Sequence, residues 1–430
     1  MDDDLGVGRI APEGIMSLLF SACFRGDARR LALLLTSAGD SLATSLINRT
    51  RADGSTLLMI ASRKGSATCL RVLLAANAMP SKPLSDGISP LYTASQRGHT
   101  ECVRLLLAAQ AAVDHPIERE PRGTTPLMTA CSRGHCDCVR LLLAAAASVD
   151  HANDDDGFTP LIIASQKGRT KCVQMLLEAR ASVELPKLGG VRPLYVACQE
   201  GHSECVRLLM EATASVDSAN DDEGTALMAA CEKGHTACAA LLLGSGASAN
   251  LAKTDGAPPL IIAVHYGHLD CVKLLSSYNA NRRMVANGKQ CTAELVAMHR
   301  SQLAVADWLV ESRDWSSPLH HVEVLTEARA RTLLRQGANL HLCRPGVLGA
   351  PTPLDLAQLQ PQSNAAARLI IRAAEEWSPQ NHQLFPAASR LRAVLLLRFG
   401  YLIALERYPM QMRSLVDAWR TLVLPRAVER

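Results

Sequence analysis

From residue 54 onward the apolar positions of this chain fall into two short, alternating stripes. Eight residues such as PLYTASQR (Pro90–Arg97) carry Leu91 and, three places on, a small Ala94, which share one face of a helix. A glycine breaks the run. The next residues, TECVRLLL from Thr100, bury Cys102, Val103 and two leucines while Arg104 stays in water. The pattern predicts pairs of short helices. Ser89, Thr125, Thr159 and Thr352 stand where a hydroxyl caps the first helix, each followed by a proline at the first helical position. Gly98, Gly134, Gly168, Gly201, Gly234 and Gly267 end that helix, because glycine accepts the left-handed conformation of a C-cap.

Seven such segments align on one leucine: Leu58, Leu91, Leu127, Leu161, Leu194, Leu227 and Leu260, at intervals of 33, 36, 34, 33, 33 and 33 residues. Self-similarity at this period means stacked units, each exposing two apolar faces and stable only beside its neighbours. The text GTTPLMTACSRGHCDCVRLLL from Gly123 resembles the ankyrin repeat, whose pattern is a turn, G-x-T-P-L-x-x-A, a short helix, G-H, and a second helix carrying V-x-L-L-L. The resemblance implies an all-α solenoid of stacked helix-turn-helix units joined by short hairpin loops, with degenerate capping repeats at both ends. It is strong over 54–275 and weakens to about 375. The residue after the aligned leucine runs Tyr92, Met128, Ile162 and then Tyr195, Met228, Ile261, as if a block of three repeats had been duplicated.

The ends are less regular. Residues 1–50 are expected to hold a capping repeat without the T-P-L motif, and 51–312 the main array. Residues 313–376 read as degenerate hairpins, in which SPLHHV from Ser317 and TPLDLA from Thr352 are weak repeat starts. Residues 377–430 read as a helical cap, with amphipathic helices near 387–405 and 410–423.

Composition narrows the function. Forty-five Lys and Arg against 41 Asp and Glu leave a formal charge of +4, without the large basic excess of a nucleic-acid coat. Aromatics are only 3%, too few for base-stacking platforms. No stretch reaches the roughly 18 uninterrupted apolar residues of a membrane span. The acidic start MDDDLGVGR is unlike a secretory leader, so a reducing compartment, cytoplasm or nucleus, is expected, with a monomeric chain.

Fourteen cysteines invite a chemical reading. Seven of them, Cys69, Cys102, Cys138, Cys172, Cys205, Cys238 and Cys271, lie eleven residues after the aligned leucine, and so belong to one buried wall. Cys131, Cys198 and Cys231 sit beside the buried alanine. Neighbouring repeats are about 10 Å apart, which puts their cysteines beyond disulfide reach. The cluster Cys131, His135, Cys136, Cys138 looks like a zinc site but would have to break the core register, so no metal is expected. Cys136 is the candidate for a partly exposed thiol, since other repeats carry Thr, Ser, Leu or Ala there. His99, His135, His202, His235 and His268 follow the helix-ending glycine; in the family this histidine bridges backbone groups of neighbouring repeats. No phosphate loop, nucleophile elbow or H-E-x-x-H occurs, and neither catalysis nor a cofactor is expected.

The family binds proteins through the exposed, concave side of its first helices and through its hairpin tips. That side falls five and six residues after the aligned leucine. The sixth position reads Lys64, Arg97, Arg133, Lys167, Glu200, Lys233 and Tyr266; the fifth adds Arg63, Gln96, Gln166 and Gln199. The tips are acidic: Asp154, Asp155 and Asp156; Asp221, Asp222 and Glu223; and Glu118 with Glu120 in the one elongated hairpin. A groove of this kind suits a protein segment carrying charged stretches. A second basic column, Arg71, Arg104, Arg140, Arg207 and Lys273, lies on the second helices and reads as a solubilising surface. An alternative function, substrate recognition for a ubiquitin ligase with the C-terminal helices as docking module, rests on the ending LVDAWRTLVLPRAVER. That ending resembles the leucine-proline termini of SOCS boxes but lacks their upstream Cys and Arg pattern.

Overall fold

The computed structural model describes residues 12–374, apart from 52, 120, 287–288, 316 and 343–350, together with Leu384. It divides into two compact units, Met1–Ala226 and Leu227–Arg430. No helix among the described residues is long and apolar enough to cross a membrane.

In the first unit five pairs of short helices follow one plan. The inner helices are Leu57–Lys64, Pro90–Arg97, Pro126–Arg133, Pro160–Gln166 and Pro193–Gln199. Each is followed by an outer helix: Ala67–Ala75, Thr100–Ala108, Cys136–Ala144, Thr170–Glu178 and Ser203–Glu211. Inner helices pack on inner ones and outer on outer. The expected caps are in place: the hydroxyls of Ser89, Thr125 and Thr159 accept from the backbone N–H of Tyr92, Met128 and Ile162. On four of the five outer helices the Cys-Val pair and one leucine, such as Leu106, are buried; on the first, Cys69, Leu70 and Leu73 take these places. The residues on either side of that leucine, such as Leu105 and Leu107, are only half-buried, where the sequence suggested two buried leucines. A longer helix, Pro12–Arg25, and a second, Ala28–Ala38, pack on the first pair and close this end of the array.

One joint repeats along the unit and explains the Gly-His pairs. Gly98 ends its inner helix at φ +74°, and a Cβ there would lie 2.5 Å from the ring of His135. The glycine thus serves twice, by its left-handed conformation and by the room it leaves. His135 Nε2 lies 3.2 Å from the carbonyl of Gln96; His99 and His202 do the same to Arg63 and Gln166, at 3.3 and 3.1 Å. A carbonyl only accepts, so Nε2 carries the proton. At Arg169 a guanidinium replaces the imidazole and donates to the Ser132 carbonyl at 3.2 Å.

The second unit continues with Ala226–Lys233 and Thr236–Gly244, Pro259–Tyr266 and Leu269–Ser276, and Ala293–His299 and Leu303–Glu311. His268 reaches the Glu232 carbonyl at 3.0 Å, the same joint. A short antiparallel hairpin, Arg283–Ala286 with Lys289–Thr292, is the only sheet among the described residues. Beyond residue 312 the plan shrinks. Ser317 starts only a single 3-10 turn, Pro318–His320, while Thr352 caps a true helix, Pro353–Gln358. These elements and the helices Glu327–Arg335 and Ala365–Ala374 share a core of their own around Leu319, Leu334 and Ile370.

Between the regular and the shrunken parts of this unit, Gln302 takes the histidine's place beside Gly267, and a partly buried guanidinium adds a separate tie to the end of the outer helix. Arg282 donates to the carbonyls of Leu309 and Ser312 and to the Ser312 hydroxyl, and lies 5.4 Å from the Trp308 ring centre. His321 packs against Trp308 and Trp315, with ring centres 5.7 and 5.0 Å away. Burial, with Arg282 beside it, pushes the imidazole of His321 down to about 3. Trp377, Trp419 and the helices expected at 387–405 and 410–423 lie outside the described residues.

Candidate functional site

The inner helices end in the same three steps: a half-buried or exposed fifth position, an exposed sixth, and a turn led by glycine. The fifth residue's carbonyl is taken by the next repeat's histidine or by Arg169, which fixes the backbone. The sixth side chain is left in water: Lys64, Arg97, Arg133 and Lys167 are exposed, as is Arg63 beside Lys64. Gln96, Gln166 and Gln199 are half-buried. Glu200 is exposed and reverses the sign at the fifth repeat.

The row starts one repeat earlier than the motif revealed. In the helix Pro12–Arg25, Leu19 and Ala22 occupy the leucine and alanine places, so Phe24, Arg25 and Gly26 match Arg63, Lys64 and Gly65. Gly26 takes φ +73°, with Ser66 standing where the histidine stands elsewhere. The leucine-to-glycine spacing would have found Arg25 without the missing T-P-L. Five consecutive sixth positions, Arg25, Lys64, Arg97, Arg133 and Lys167, are therefore cationic. Phe24 is 58% exposed, and the Lys64 ammonium sits 3.7 Å from its ring centre.

No carboxylate among the described residues forms an ion pair with Arg25, Arg97, Arg133 or Lys167. Gln96, Arg97, Arg133 and His135 line an open hollow of about 440 Å³ between two consecutive inner-helix ends. A second hollow, of about 490 Å³, lies at the N-terminal end, where Phe20, Phe24, Arg49 and Arg51 supply apolar rings and positive charge. The outer column behaves differently. Arg104 and Arg71 both approach Glu101, at 3.1 and 3.7 Å, Arg140 pairs with Asp137 at 3.1 Å, and Arg207 with Glu204 and Glu211.

The acidic tips split in two. Asp155 accepts from the backbone N–H of Arg122 at 2.7 Å and from its guanidinium at 3.1 Å, and these bonds hold its carboxyl below the usual range. It ties one tip to the next. Asp154 and Asp156 are exposed, and so are Asp221, Asp222, Glu223 and Glu118. Backbone bonds link these tips too: Glu118 donates to the Asp86 carbonyl, Asp154 to that of Arg122 and Asp221 to that of Gly189. Glu120 lies outside the described residues. In the second unit, the Lys233 ammonium sits 3.1 Å from its neighbour Glu232, and Tyr266 is 50% exposed beside His265 and His268.

None of the thirteen described cysteines is in a disulfide, and all but Cys136 and Cys291 are buried. Burial raises Cys23 to about 12 and Cys102 to about 11, which leaves them inert near neutrality. The expectation that cysteines of neighbouring repeats stay beyond disulfide reach fails: Cys131 and Cys231 hydrogen-bond to Cys172 and Cys271 of the following repeats, and Cys136 Sγ lies 3.9 Å from Cys172 Sγ. Cys136 and Cys172 are not in register. Cys136 opens its outer helix, and this position leans on the register cysteine of the next repeat. Among the described residues no group of three or more His, Cys, Asp or Glu is placed to hold a metal ion.

Stacked helical pairs with a fixed backbone and variable exposed ends define a repeat module built to bind other proteins. The family described as "Ankyrin repeats (3 copies)" matches residues 18–117, 112–187, 184–253 and 245–318, most of the chain, and the protein belongs to the ankyrin repeat family. Ankyrin-repeat proteins bind protein partners and are generally not catalytic. No curated protein matches the chain. Among solved structures, 575 chains match, so the fold by itself selects no partner. One is the crystal structure of the human ASB11 ankyrin repeat domain, 28% identical, covering 49% of this chain and 89% of that one, with a TM-score of 0.43.

Proposed function

We propose that the protein is a non-enzymatic scaffold whose first unit holds an acidic segment of a partner protein along the inner-helix ends. The observation that carries this reading is the row Arg25, Lys64, Arg97, Arg133 and Lys167, exposed on five consecutive repeats, with Arg97 and Arg133 bordering an open hollow. Inner helices pack about 8–10 Å apart, close to the Debye length at physiological salt. Such a row steers an acidic chain and holds it by contacts individually worth about 1 kcal/mol or less. The exposed acidic tips, Asp154, Asp156, Asp221, Asp222, Glu223 and Glu118, set the outer limit of the acidic segment and favour basic residues beyond it. The free thiols fit a reducing compartment, cytoplasm or nucleus. Affinity capture with the full chain tests this reading. Partners held by the wild type should be depleted with R97E/R133E/K167E, and partners retained in equal amounts by both would sink it.

A second reading, substrate recognition for a ubiquitin ligase, rests on the ending LVDAWRTLVLPRAVER, which lies outside the described residues. Co-purification of elongin and cullin proteins with the full chain, lost on deleting that ending, is its test.

A further inference from the structure

At the start of the outer helices the repeats contain their own controls. Thr100 Oγ1 lies 3.8 Å from Cys138 Sγ of the next repeat, Thr170 Oγ1 3.8 Å from Cys205 Sγ, and Thr236 Oγ1 3.4 Å from Cys271 Sγ. Between the first two, Cys136 takes the threonine's place and meets Cys172 Sγ at 3.9 Å. It even keeps the threonine's bond to the preceding glycine: Cys136 Sγ to the Gly134 carbonyl is 3.5 Å, as Thr100 Oγ1 is to Gly98. A hydroxyl at this position cannot join a disulfide, although Cys271 also has the inner-helix thiol of Cys231 beside it, as Cys172 has Cys131. A thiol beside a thiol can be oxidised to a disulfide.

The next departure from the repeat plan falls at the same interface. Arg169, three residues before Cys172, stands where His99, His135 and His202 stand in their repeats, so a permanent cation replaces an imidazole. From the geometry we propose that Cys136 and Cys172 form a reversible redox pair whose disulfide staples the third repeat to the fourth.

Roles follow from exposure. Cys136 is the half-exposed thiol at the start of a helix, held somewhat above the ordinary thiol range by partial burial and by Cys172 beside it, whereas Cys172 is fully buried. Cys136 therefore meets the oxidant first. With a peroxide its thiolate attacks one oxygen, the O–O bond breaks, a sulfenic acid forms and one water leaves. The Cys172 thiolate then attacks the Cys136 sulfur, the S–O bond breaks, and hydroxide departs with a proton as the second water. Two thiols are oxidised and one peroxide is reduced. Thiol donors on Cys131 and Cys136, with Arg169 nearby, pull Cys172 below the ordinary thiol range and supply that resolving thiolate. Closing the bond needs the sulfurs to move from 3.9 Å to about 2.05 Å, a change that side-chain rotation at the exposed Cys136 end can supply.

The test treats the full chain with hydrogen peroxide, blocks free thiols under denaturing conditions, and maps the tryptic peptides. Cys131 lies in 123–133 and Cys172 in 172–180, while 134–140 holds both Cys136 and Cys138, so fragmentation of the linked peptide places the bond. The expected product joins 134–140 to 172–180 through Cys136, is reversed by dithiothreitol, and raises Tm. It should be lost in C136T and in C136S, which install residues found at this position in sibling repeats and so should fold normally. The proposal is overturned if peroxide leaves Cys136 as a sulfinic acid with Cys172 free, if Cys172 pairs with Cys131 equally in wild type and C136T, or if the cross-link forms without any change in Tm.

Discussion

The first unit carries two basic columns of nearly identical composition, and the structure treats them in opposite ways. On the outer helices Arg104 and Arg140 are met by Glu101 and Asp137 one turn away, within their own helices. On the inner helices Arg97 and Arg133 meet no carboxylate among the described residues and border a hollow instead. The outer charges are neutralised by sequence neighbours that the repeat copies along with them. The inner charges sit beside a glycine and a histidine committed to the backbone joint, so no short-range partner is available. Charge count alone does not distinguish the columns; pairing does. Surface pairs of the outer kind are worth about 0.3–0.5 kcal/mol each to the fold, whereas an unpaired exposed charge adds little to stability and remains available to a partner.

The largest expected effect removes the joint beneath the inner row. Gly98→Ala puts a Cβ at φ +74° against the His135 ring. The left-handed strain alone costs about 1–2 kcal/mol, and the clash adds to it. Urea unfolding should show a loss of about 2 kcal/mol or more. An unchanged midpoint would mean that the row does not depend on this joint.

Acid should separate exposed charges from a buried neutral group. His321 in the folded chain sits near 3, below its ordinary 6.5, so between those values the unfolded chain binds a proton that the folded one refuses. Stability is then flat above about pH 6.5 and falls toward about pH 3, at about 1.4 kcal/mol per unit, or about 2 kcal/mol by pH 5. His320 is shifted the same way by burial and adds to the slope. His321→Phe keeps a ring between Trp308 and Trp315 and should flatten part of this limb. An identical acid limb in the variant would remove His321 from the account.

The smallest effect sharpens the contrast itself. R104E/R140E puts like charges beside Glu101 and Asp137 and should cost about 1 kcal/mol in total, while R97E/R133E should leave thermal stability nearly unchanged. Equal losses in both variants would mean the inner arginines have intramolecular partners after all.

Much of this was legible in the chain, for physical reasons. The T-P-L caps, the glycine ends and the Cys-Val-x-Leu faces each satisfy a local demand of a short helix, so they appear as text. Arg25 was missed because the capping helix has no T-P-L, although the spacing from Leu19 to Gly26 survives. The contact between Cys136 and Cys172 was missed because register arguments compare like positions, and this contact joins the first residue of one outer helix to the third of the next. The pairing of outer arginines and the Arg282–Trp308 stack depend on side-chain placement across elements, and no periodicity records that. At Ser317 the motif S-P-L promised a helix and gave only a 3-10 turn.

The central claim is that the inner row is the binding surface and the outer column is not. The direct measurement is the association rate of a captured partner with wild type, R97E/R133E/K167E and R104E/R140E, each over a range of salt. The account predicts that the inner variant associates at least tenfold more slowly at low salt and loses most of its salt dependence, whereas the outer variant follows the wild-type curve. If the outer variant slowed and the inner one did not, the partner would lie on the outer helices and the assignment of the site would be wrong.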